Sequence, residues 1–424
     1  MNGERMMKSM DTISQAKQPT SVSSLMREIE HLGRDRTRGG YSRPVYSHPE
    51  LELREWFLAA AETRGLDVEV DQNGIIWAWW DRTDGDRSGA LITGSHLDSV
   101  PGGGAFDGPL GVAAALAAID LLRSEGRQPS VAVAIAVFPE EEGSRFGVAC
   151  LGSRLLTGAI DPDRARSLRD ADGTTFAEAS ASAGFAPEHL GADRARLAQF
   201  SAFVELHVEQ GRGLIDLAGP VAIGSSILGH GRWRVSFTGQ GNHAGTTLMA
   251  DRRDPMVAAA RLIVGIEEIA RAVPGARATV GRLEPVPGGT NVIASRVDAW
   301  LDVRHPDDDV TAALVERIRA RAAEVAADQG CEATLVEESL SPTVNFDSKL
   351  RDTLQLALPD APVLDTGAGH DAGVLAAHLP TAMLFIRNPS GISHSPEEYV
   401  EDADADHGAR ALATAIMAAG SDSA

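Results

Sequence analysis

The chain has 424 residues, which is long enough for two domains and a large core. Its formal net charge of -21 opposes binding to nucleic acid and to anionic membrane surfaces, so we expect neither as a partner. The only two cysteines, Cys150 and Cys331, do not make a disulfide framework and fit a reducing, cytoplasmic setting.

The first residues show no targeting pattern. Residues 1–22 are polar with scattered methionines and lack the apolar core of a signal peptide. No apolar run elsewhere approaches the length that spans a membrane. We therefore expect a disordered tail over 1–22, followed by the folded chain.

The folded chain opens with two predicted helices and a hairpin. The apolar spacing predicts helices over Val22–Leu32 and Glu50–Arg64. Two strand-like runs, Leu66–Val70 and Ile75–Trp80, flank an Asn-Gly pair, which is typical of a tight hairpin turn.

The stretch 94–112, GSHLDSVPGGGAFDGPLGV, follows a short apolar run that predicts a buried strand. His96 and Asp98 stand at the end of that strand, and a Gly-rich loop delivers Asp107 before a helix predicted over 109–123. Ligands of open α/β sheets bind beyond the carboxyl ends of the strands. Imidazole and carboxylates together suit a divalent cation such as Zn or Mn, although a surface histidine and a simple turn would also explain these residues.

A second candidate site segment follows the run 131–138, VAVAIAVF, whose continuous apolar character is typical of a strand buried on both faces of a sheet. The strand runs into PEEEGSRF, which places Glu140, Glu141 and Glu142 together at its end. One metal ligand and one general base would explain carboxylates in this place. A solvated acidic turn is the alternative in so acidic a chain.

A third polar cluster lies on a strand. The segment 161–197 that precedes it is rich in Arg, Asp and Ala, and we expect exposed helices and loops there, without chemistry. The stretch 202–210, AFVELHVEQ, alternates like a strand and puts Glu205, His207 and Glu209 on one face. That face is either part of a metal site or a polar surface, and the pattern does not say which of the three side chains would bind metal.

An inserted domain is predicted over 221–337. Its elements follow the order β-α-β-β-α-β, which is that of a compact two-layer module. The module carries three polar clusters, at 241–246 (GNHAGT), 289–291 (GTN) and 304–305 (RH). Because the module does not need the first sheet, we interpret it as a separate domain within the chain.

The first domain resumes after the insertion. A Gly-rich loop at 367–372 (GAGHDA) carries a histidine, and His394 follows a buried strand predicted over 381–386. A helix predicted over 403–419 closes the chain. The predicted fold class is α/β, with a mixed-sheet catalytic domain that has helices on both faces and is made from 23–220 and 338–424.

Taken together, the predicted strand ends supply the ligands of a two-metal site. They are His96, Asp107, one of Glu140–Glu142, one of Glu205, His207 and Glu209, and His394. Five ligands with one shared carboxylate fit two metals that clamp a hydrolytic water, and a spare Glu fits the general base. The residues therefore favour a metal-dependent hydrolase.

Eight motifs follow one another along the chain in this order: GSHLDSVPGGGAFDGPLGV, EEEGSRFGVACLGSR, FVELHVEQG, GNHAGTTLMADRRDP, GGTNVI, DVRHP, GAGHDAG and SGISHSPEE. In these motifs the chain resembles the allantoate amidohydrolase and N-carbamoyl-L-amino acid hydrolase group, which includes β-ureidopropionase and belongs to the dinuclear aminoacylase/carboxypeptidase superfamily. The resemblance covers nearly the whole chain after about residue 25, in the order of the group. GGYSR and GHGRWR favour allantoate amidohydrolases within it.

The resemblance implies a role for each matching residue. His96 and His207 would hold one metal, Glu142 and His394 the other, and Asp107 would bridge them. Glu141 would be the general base, and Asp98 would orient His96 by a hydrogen bond. Positions matching substrate-binding residues are Gln210, His243, Asn291 and Arg304, with His243 also stabilising an oxyanion.

The resemblance also implies a cofactor, a partner and a reaction. Two divalent metals per subunit are expected, Zn or Mn, with Co or Ni also suited to the ligands. The inserted domain would act as a lid and form a homodimer. The reaction would cleave the ureido C–N bond of a small carboxylate such as allantoate, or of an N-carbamoyl-L-amino acid.

Two further functions compete with this one. A dipeptidase or aminoacylase is more distant, because HVEQG and GAGHDA differ from the patterns of those branches. A metal-binding or dimerisation protein without catalysis would be expected to lack Glu141 or a ligand, and all of them are present.

Overall fold

A computed structural model describes residues 20–421, in which the chain forms a nine-stranded sheet and a four-stranded sheet with helices packed on both, and a two-stranded sheet of Asn242–His243 and Val292–Ile293. The expected tail over 1–22 lies outside the described residues except for its last three, and the first helix begins at Val22. The described strands are β1 Asp67–Val70, β2 Ile76–Trp80, β3 Ala90–His96, β4 Val133–Phe138, β5 Phe200–Val208, β6 Val221–Ile227, β7 His230–Thr238, β8 Asn242–His243, β9 Arg277–Val286, β10 Val292–Ile293, β11 Arg296–Arg304, β12 Glu332–Ser341, β13 Val344–Asn345, β14 Val363–Thr366 and β15 Thr381–Ile386. The α-helices are α1 Val22–Ile29, α2 His48–Thr63, α3 Pro109–Ser124, α4 Leu151–Thr157, α5 Pro162–Ser167, α6 Phe176–Ser182, α7 Arg194–Leu197, α8 Gly213–Leu217, α9 Pro255–Arg271, α10 Asp308–Asp328, α11 Ser348–Ala357, α12 Asp371–Leu375 and α13 Asp402–Ala419.

The large sheet has nine strands and is mixed, as predicted. Its order is β1-β2-β4-β3-β5-β15-β6-β13, with β14 paired to β6. The four central strands β4, β3, β5 and β15 run parallel to one another. Their carboxyl ends therefore meet along one edge, and this edge carries the candidate site.

Helices cover both faces of this sheet because its central strands are apolar on both sides. Leu91, Val133 and Leu206 point to one face and pack with α3 and α13. Ile92 and Phe203 belong to the core on the opposite face, which includes side chains of α4 and α12. The continuous apolar run that ends in β4 is explained by this double burial.

The inserted domain has the predicted element order and its own core. The strands β7, β9, β11 and β12 form an antiparallel sheet in the order β12-β7-β11-β9, with α9 and α10 packed on it. Two strands differ from the predicted bounds of 221–337. Strand β6 belongs to the large sheet, where it pairs with β15, and β12 continues to Ser341.

The segment 161–197 is less exposed than predicted. Phe176 and Leu190 join a small separate core with Val45, Tyr46 and Phe146. This core packs the segment against the loop before α2 and the loop after β4, so it supports the acidic turn at 140–142 from outside.

No helix within residues 20–421 is both long and apolar enough to cross a membrane.

Candidate metal centre

Side chains from the four central parallel strands and the loops after them meet at one edge of the large sheet. His96 is the last residue of β3, and His207 lies near the end of β5. The loops after β4 and β15 deliver the 140–142 acidic turn and His394, and the loop before α3 delivers Asp107. The convergence predicted from the strand ends is therefore observed.

The two buried histidines present the same ring nitrogen to Asp107. The Nδ1 atom of His96 lies 3.0 Å from the carbonyl oxygen of Asp98, and Nδ1 of His207 lies 2.9 Å from that of Val208. A carbonyl oxygen only accepts, so the proton of each neutral ring sits on Nδ1. Each Nε2 therefore offers a lone pair toward the site, which is what a metal requires.

Asp107 stands between two groups of possible ligands. Its Oδ1 lies 3.2 Å from Nε2 of His207 and 3.5 Å from Nε2 of His96. Its Oδ2 lies 3.4 Å from Nε2 of His394, which is also 3.4 Å from Oε2 of Glu142. His96 and His207 thus share Asp107 with Glu142 and His394, in the grouping that the resemblance implied.

These spacings fit bound divalent cations. Ligand atoms about 2.1 Å from a tetrahedral ion are separated from one another by roughly 3.4 Å, close to the distances found in both groups. The Oε1 atom of Glu142 is buried without a hydrogen-bond partner among the described residues. The Nε2 atoms of His96 and His207 also face each other at 3.4 Å, an arrangement that a shared cation between them would stabilise.

Asp98 forms the hydrogen bond to His96 through its backbone and uses its carboxylate elsewhere. Its carbonyl, not its carboxylate, bonds the ring of His96, while its Oδ1 lies 3.7 Å from Nδ1. The carboxylate accepts the backbone N–H groups of Glu141 and Glu142, each at 3.2 Å. One residue therefore orients a histidine and fixes the acidic turn.

Glu141 lies inside the site with one oxygen directed at its ligands. Its Oε2 is 3.7 Å from Nε2 of His96, and its Oε1 accepts a hydrogen bond from the Cys150 thiol at 3.6 Å. Glu140 instead points away and accepts the backbone N–H groups of Arg145 and Phe146. The three carboxylates of the turn thus have three different surroundings.

The face shared by Glu205, His207 and Glu209 is buried rather than a polar surface. Glu209 accepts the backbone N–H of Leu214 at 3.0 Å, at the start of α8. Glu205 accepts the Ser95 hydroxyl and the Ala372 N–H, each at 3.0 Å. Only His207 of the three contacts Asp107, since the other two are committed to these bonds.

The site carries a high density of buried negative charge. Burial raises the pKa of Glu141 far above its ordinary value, and the carboxylates of Glu142 and Asp371 raise it further. Burial and Asp107 likewise raise the pKa of Glu142. Burial opposes ionisation of Asp107 too, but the imidazoles of His207 and His96 hold its pKa well below the ordinary range. Cations would offset this charge.

Sequence reasoning gave no role to two buried residues of the GAGHDA loop. The ring of His370 lies 4.4 Å from that of His207, and neither of its nitrogens has a hydrogen-bond partner among the described residues. Asp371 accepts the Ser153 hydroxyl at 2.5 Å. A histidine in a Gly-rich loop was the available signal, but nothing local shows that the loop packs against β5.

The four predicted substrate residues are not all brought to the site. Gln210 donates to Oδ2 of Asp107 at 2.9 Å, and Arg304 donates from Nη1 to the carbonyl of Gly367 at 2.7 Å, in the loop that leads to His370. His243 and Asn291 lie together on the inserted domain, exposed, and neither forms a hydrogen bond or ion pair with a ligand residue within the described chain.

Comparisons with known proteins agree with this geometry. The family described as peptidase family M20/M25/M40 matches residues 92–418. The N-carbamoyl-L-amino acid amidohydrolase of Geobacillus stearothermophilus is 35% identical over 91% of this chain and 94% of its own length. The allantoate amidohydrolase of Escherichia coli (strain K12) is 33% identical over 88% of this chain and 92% of its own.

A solved structure has the same fold over nearly the whole chain. It is an amidase of the hydantoinase/carbamoylase family from Burkholderia multivorans, with a TM-score of 0.84 and 31% sequence identity. The likeness covers 94% of this chain and 97% of that one. The two-domain arrangement therefore recurs in a protein of that family.

Proposed function

The chain belongs to peptidase family M20/M25/M40, and we propose that it is a dinuclear-metal amidohydrolase that cleaves the ureido C–N bond of allantoate, releasing ammonia and carbon dioxide. Its relatives are named amidohydrolases, and it is a hydrolase of C–N bonds. The observation that carries the proposal is the pair of ligand groups that share Asp107 beside the carboxylate of Glu141.

The proposed cofactor is a pair of Zn or Mn ions, with Co or Ni also compatible with the ligands. One ion would be held by His96 and His207, the other by Glu142 and His394, and Asp107 would bind both. When bound, such ions would lower the pKa of a water molecule and polarise the substrate carbonyl.

Glu141 is the proposed general base. Its free oxygen faces the ligand groups, so it can take the proton of the attacking water and return it to the leaving nitrogen. The Asp98 carboxylate accepts the backbone N–H groups of Glu141 and Glu142, and these hydrogen bonds fix the backbone that carries the proposed base and the proposed ligand.

Arg304 is the proposed partner of the substrate carboxylate. Its Nε and Nη2 donate to Asp302 at 2.7 and 3.0 Å, and its Nη1 donates to Gly367. A guanidinium has five N–H groups, so one on each terminal nitrogen remains for a bidentate carboxylate. Gln210, whose Oε1 is buried and unpartnered among the described residues, would bond the ureido N–H groups.

His243 and Asn291 would complete the site from the inserted domain. Both are exposed in the described chain and carry polar groups suited to an oxyanion and an amide. We propose that the inserted domain closes as a lid and pairs two subunits, so that these residues enter the site on closure. The free thiols of Cys150 and Cys331 suit a protein working in the cytoplasm.

An N-carbamoyl-L-amino acid is the second candidate substrate. The Geobacillus stearothermophilus relative named for that activity is 35% identical, against 33% for the Escherichia coli allantoate amidohydrolase. Both substrates carry a ureido group and a carboxylate, so the residues above serve either one. The difference would lie in the pocket for the rest of the molecule.

The test is ammonia release by the metal-reconstituted protein, with allantoate and a panel of N-carbamoyl-L-amino acids assayed in parallel. We expect a higher kcat/KM for allantoate. A higher value for a carbamoyl amino acid would replace allantoate by the second candidate. No release from any of them by metal-loaded protein would overturn the proposed reaction.

A further inference from the structure

A single buried carboxylate outside the ligand set joins the two loops that carry Asp107 and His394. Glu398, 4% exposed, lies in the loop between β15 and α13. Its Oε1 accepts the backbone N–H of Asp107 at 3.0 Å and that of Phe106 at 3.3 Å. Its Oε2 accepts the hydroxyl of Ser393 at 3.0 Å, directly before His394.

The Gly-rich loop is shaped around this carboxylate. A Cβ atom at Gly104 would overlap the carboxylate of Glu398, so the loop can pass there only without a side chain. The rings of Phe106 and Tyr399 then pack edge to face with centroids 6.1 Å apart. The loop that carries Asp107 and the loop that carries His394 are therefore joined by this ring contact as well as by the hydrogen bonds of Glu398.

The two ligands that the carboxylate reaches need such support. His394 has a φ of 55°, a left-handed conformation that is costly for a histidine, and its side chain is 51% exposed. Asp107 must aim one oxygen at each ligand group. A loop that holds a strained histidine, and a loop that aims both oxygens of one carboxylate, are expected to need hydrogen bonds that fix their backbones.

We propose that Glu398 is a positioning residue for the metal centre, which holds the shared ligand Asp107 and the His394 loop in one geometry. The inference rests on the proposed function in that it takes Asp107 and His394 as metal ligands. Removal of the carboxylate frees the N–H of Asp107 and the hydroxyl of Ser393 together, so both ligand groups lose their common support.

The experiment measures zinc affinity of the metal-stripped protein by competition with a chromophoric chelator, which needs no substrate. Glu398→Ala is expected to weaken zinc binding by about 10- to 100-fold, as is usual for residues that hold metal ligands in place. Glu398→Gln is expected to recover most of the affinity, because an amide can accept from Asp107 and donate to Ser393. The matched control is Glu397→Ala, since the neighbouring glutamate is exposed and accepts the hydroxyl of the nearby Ser395 rather than a group of the Asp107 loop.

A second variant tests the positioning role if Glu398→Ala does not fold. Ser393→Ala removes only the bond toward His394, and we expect weaker binding of one zinc equivalent, with the melting temperature of the metal-free protein unchanged. The inference would be overturned if Ser393→Ala bound both zinc equivalents with wild-type affinity and Glu398→Ala, where it folds, did the same. Shifted affinities in a protein that hydrolyses no ureido substrate would instead refute the proposed function and leave the inference standing.

Discussion

At the residue scale, the guanidinium of Arg304 donates hydrogen bonds to two partners and still has N–H groups left to bind a third. Its bonds to Asp302 and Gly367 fix the plane of the guanidinium, and its side chain is 28% exposed. Such prior ordering lowers the entropy lost when a carboxylate binds. We therefore propose that Arg304 serves substrate binding more than stability.

Replacement of Arg304 by alanine should therefore raise KM far more than it lowers the melting temperature. Loss of a charge-assisted pair costs about 1.5–3 kcal/mol, which corresponds to a KM increase of about 10- to 100-fold for carboxylate substrates. Steady-state ammonia assays give KM, and thermal unfolding gives stability. Arg296→Ala, at the exposed start of the same strand, is the control and should leave KM unchanged. An unaltered KM in the Arg304 variant would refute the carboxylate role.

The sequence predicted that metal ligands stand at strand ends, and the structure brings these residues together, while their role as ligands stays a prediction. His96, Asp107, Glu142, His207 and His394 all lie in the cluster. It could not choose His207 over its two neighbours from the residues alone, because all three share a face and only long-range contacts separate them. Glu398 was missed for the same reason, since two of its partners, the backbone N–H groups of Asp107 and Phe106, are 291 and 292 residues away in the chain.

At the element scale, the close approach of β3 and β4 depends on Gly94. This glycine has a φ of 138° and lies opposite Ala136, whose carbonyl oxygen occupies the space that a Cβ would need. The parallel pair that carries His96 and the acidic turn is thus held at a spacing that excludes a side chain at this point.

Gly94→Ala should accordingly destabilise the fold by about 2–5 kcal/mol, from backbone strain and overpacking together. Urea unfolding measures the change. Gly89→Ala is the matched control, because Gly89 also has a positive φ of 68° but no atom within 4 Å of the position that an added methyl group would take, and it should lose only about 1–2 kcal/mol. Equal losses in both variants would show that contact with β4 does not matter.

Most of the long helices and strands followed from periodicity, whereas their membership in sheets, and strand β6 itself, did not. Strand β6 has an apolar pattern like its neighbours and stands next to the inserted domain in the chain. Its partner β15 is far downstream, so no local signal assigns β6 to the large sheet. The same limit hid the packing of Phe176, whose contacts come from segments on both sides of it in sequence.

At the scale of the whole molecule, His243 and Asn291 lie apart from the proposed ligands, so either the proposed closure within one chain or a partner subunit would have to bring them to the site. These residues are exposed on the inserted domain, and the ligands all come from the other domain. If a partner subunit supplies them, the two halves of a site belong to different chains.

Mixing two inactive variants tests this arrangement. Glu141→Gln should lose about 10²- to 10⁴-fold in kcat through loss of the base, and His243→Ala about 10²- to 10³-fold through loss of an oxyanion donor. Re-associated mixtures should regain about a quarter of the wild-type rate, because half of the dimers are mixed and each has one intact site. Each variant re-associated with itself is the control, and a mixture as inactive as its components would place both residues in one chain's site.

The position of β15 in the large sheet also bears on the order in which the two domains can fold during synthesis. This strand lies between β5 and β6, yet it is synthesised after the whole inserted domain. A nascent chain can thus complete the inserted domain while the central sheet still has a gap. His394 emerges later still, so the ligand set is assembled only when nearly all of the chain has left the ribosome. If these residues bind metal as proposed, metal acquisition would be a late step in the synthesis of this protein, and a chain that stops before His394 would lack part of the proposed ligand set.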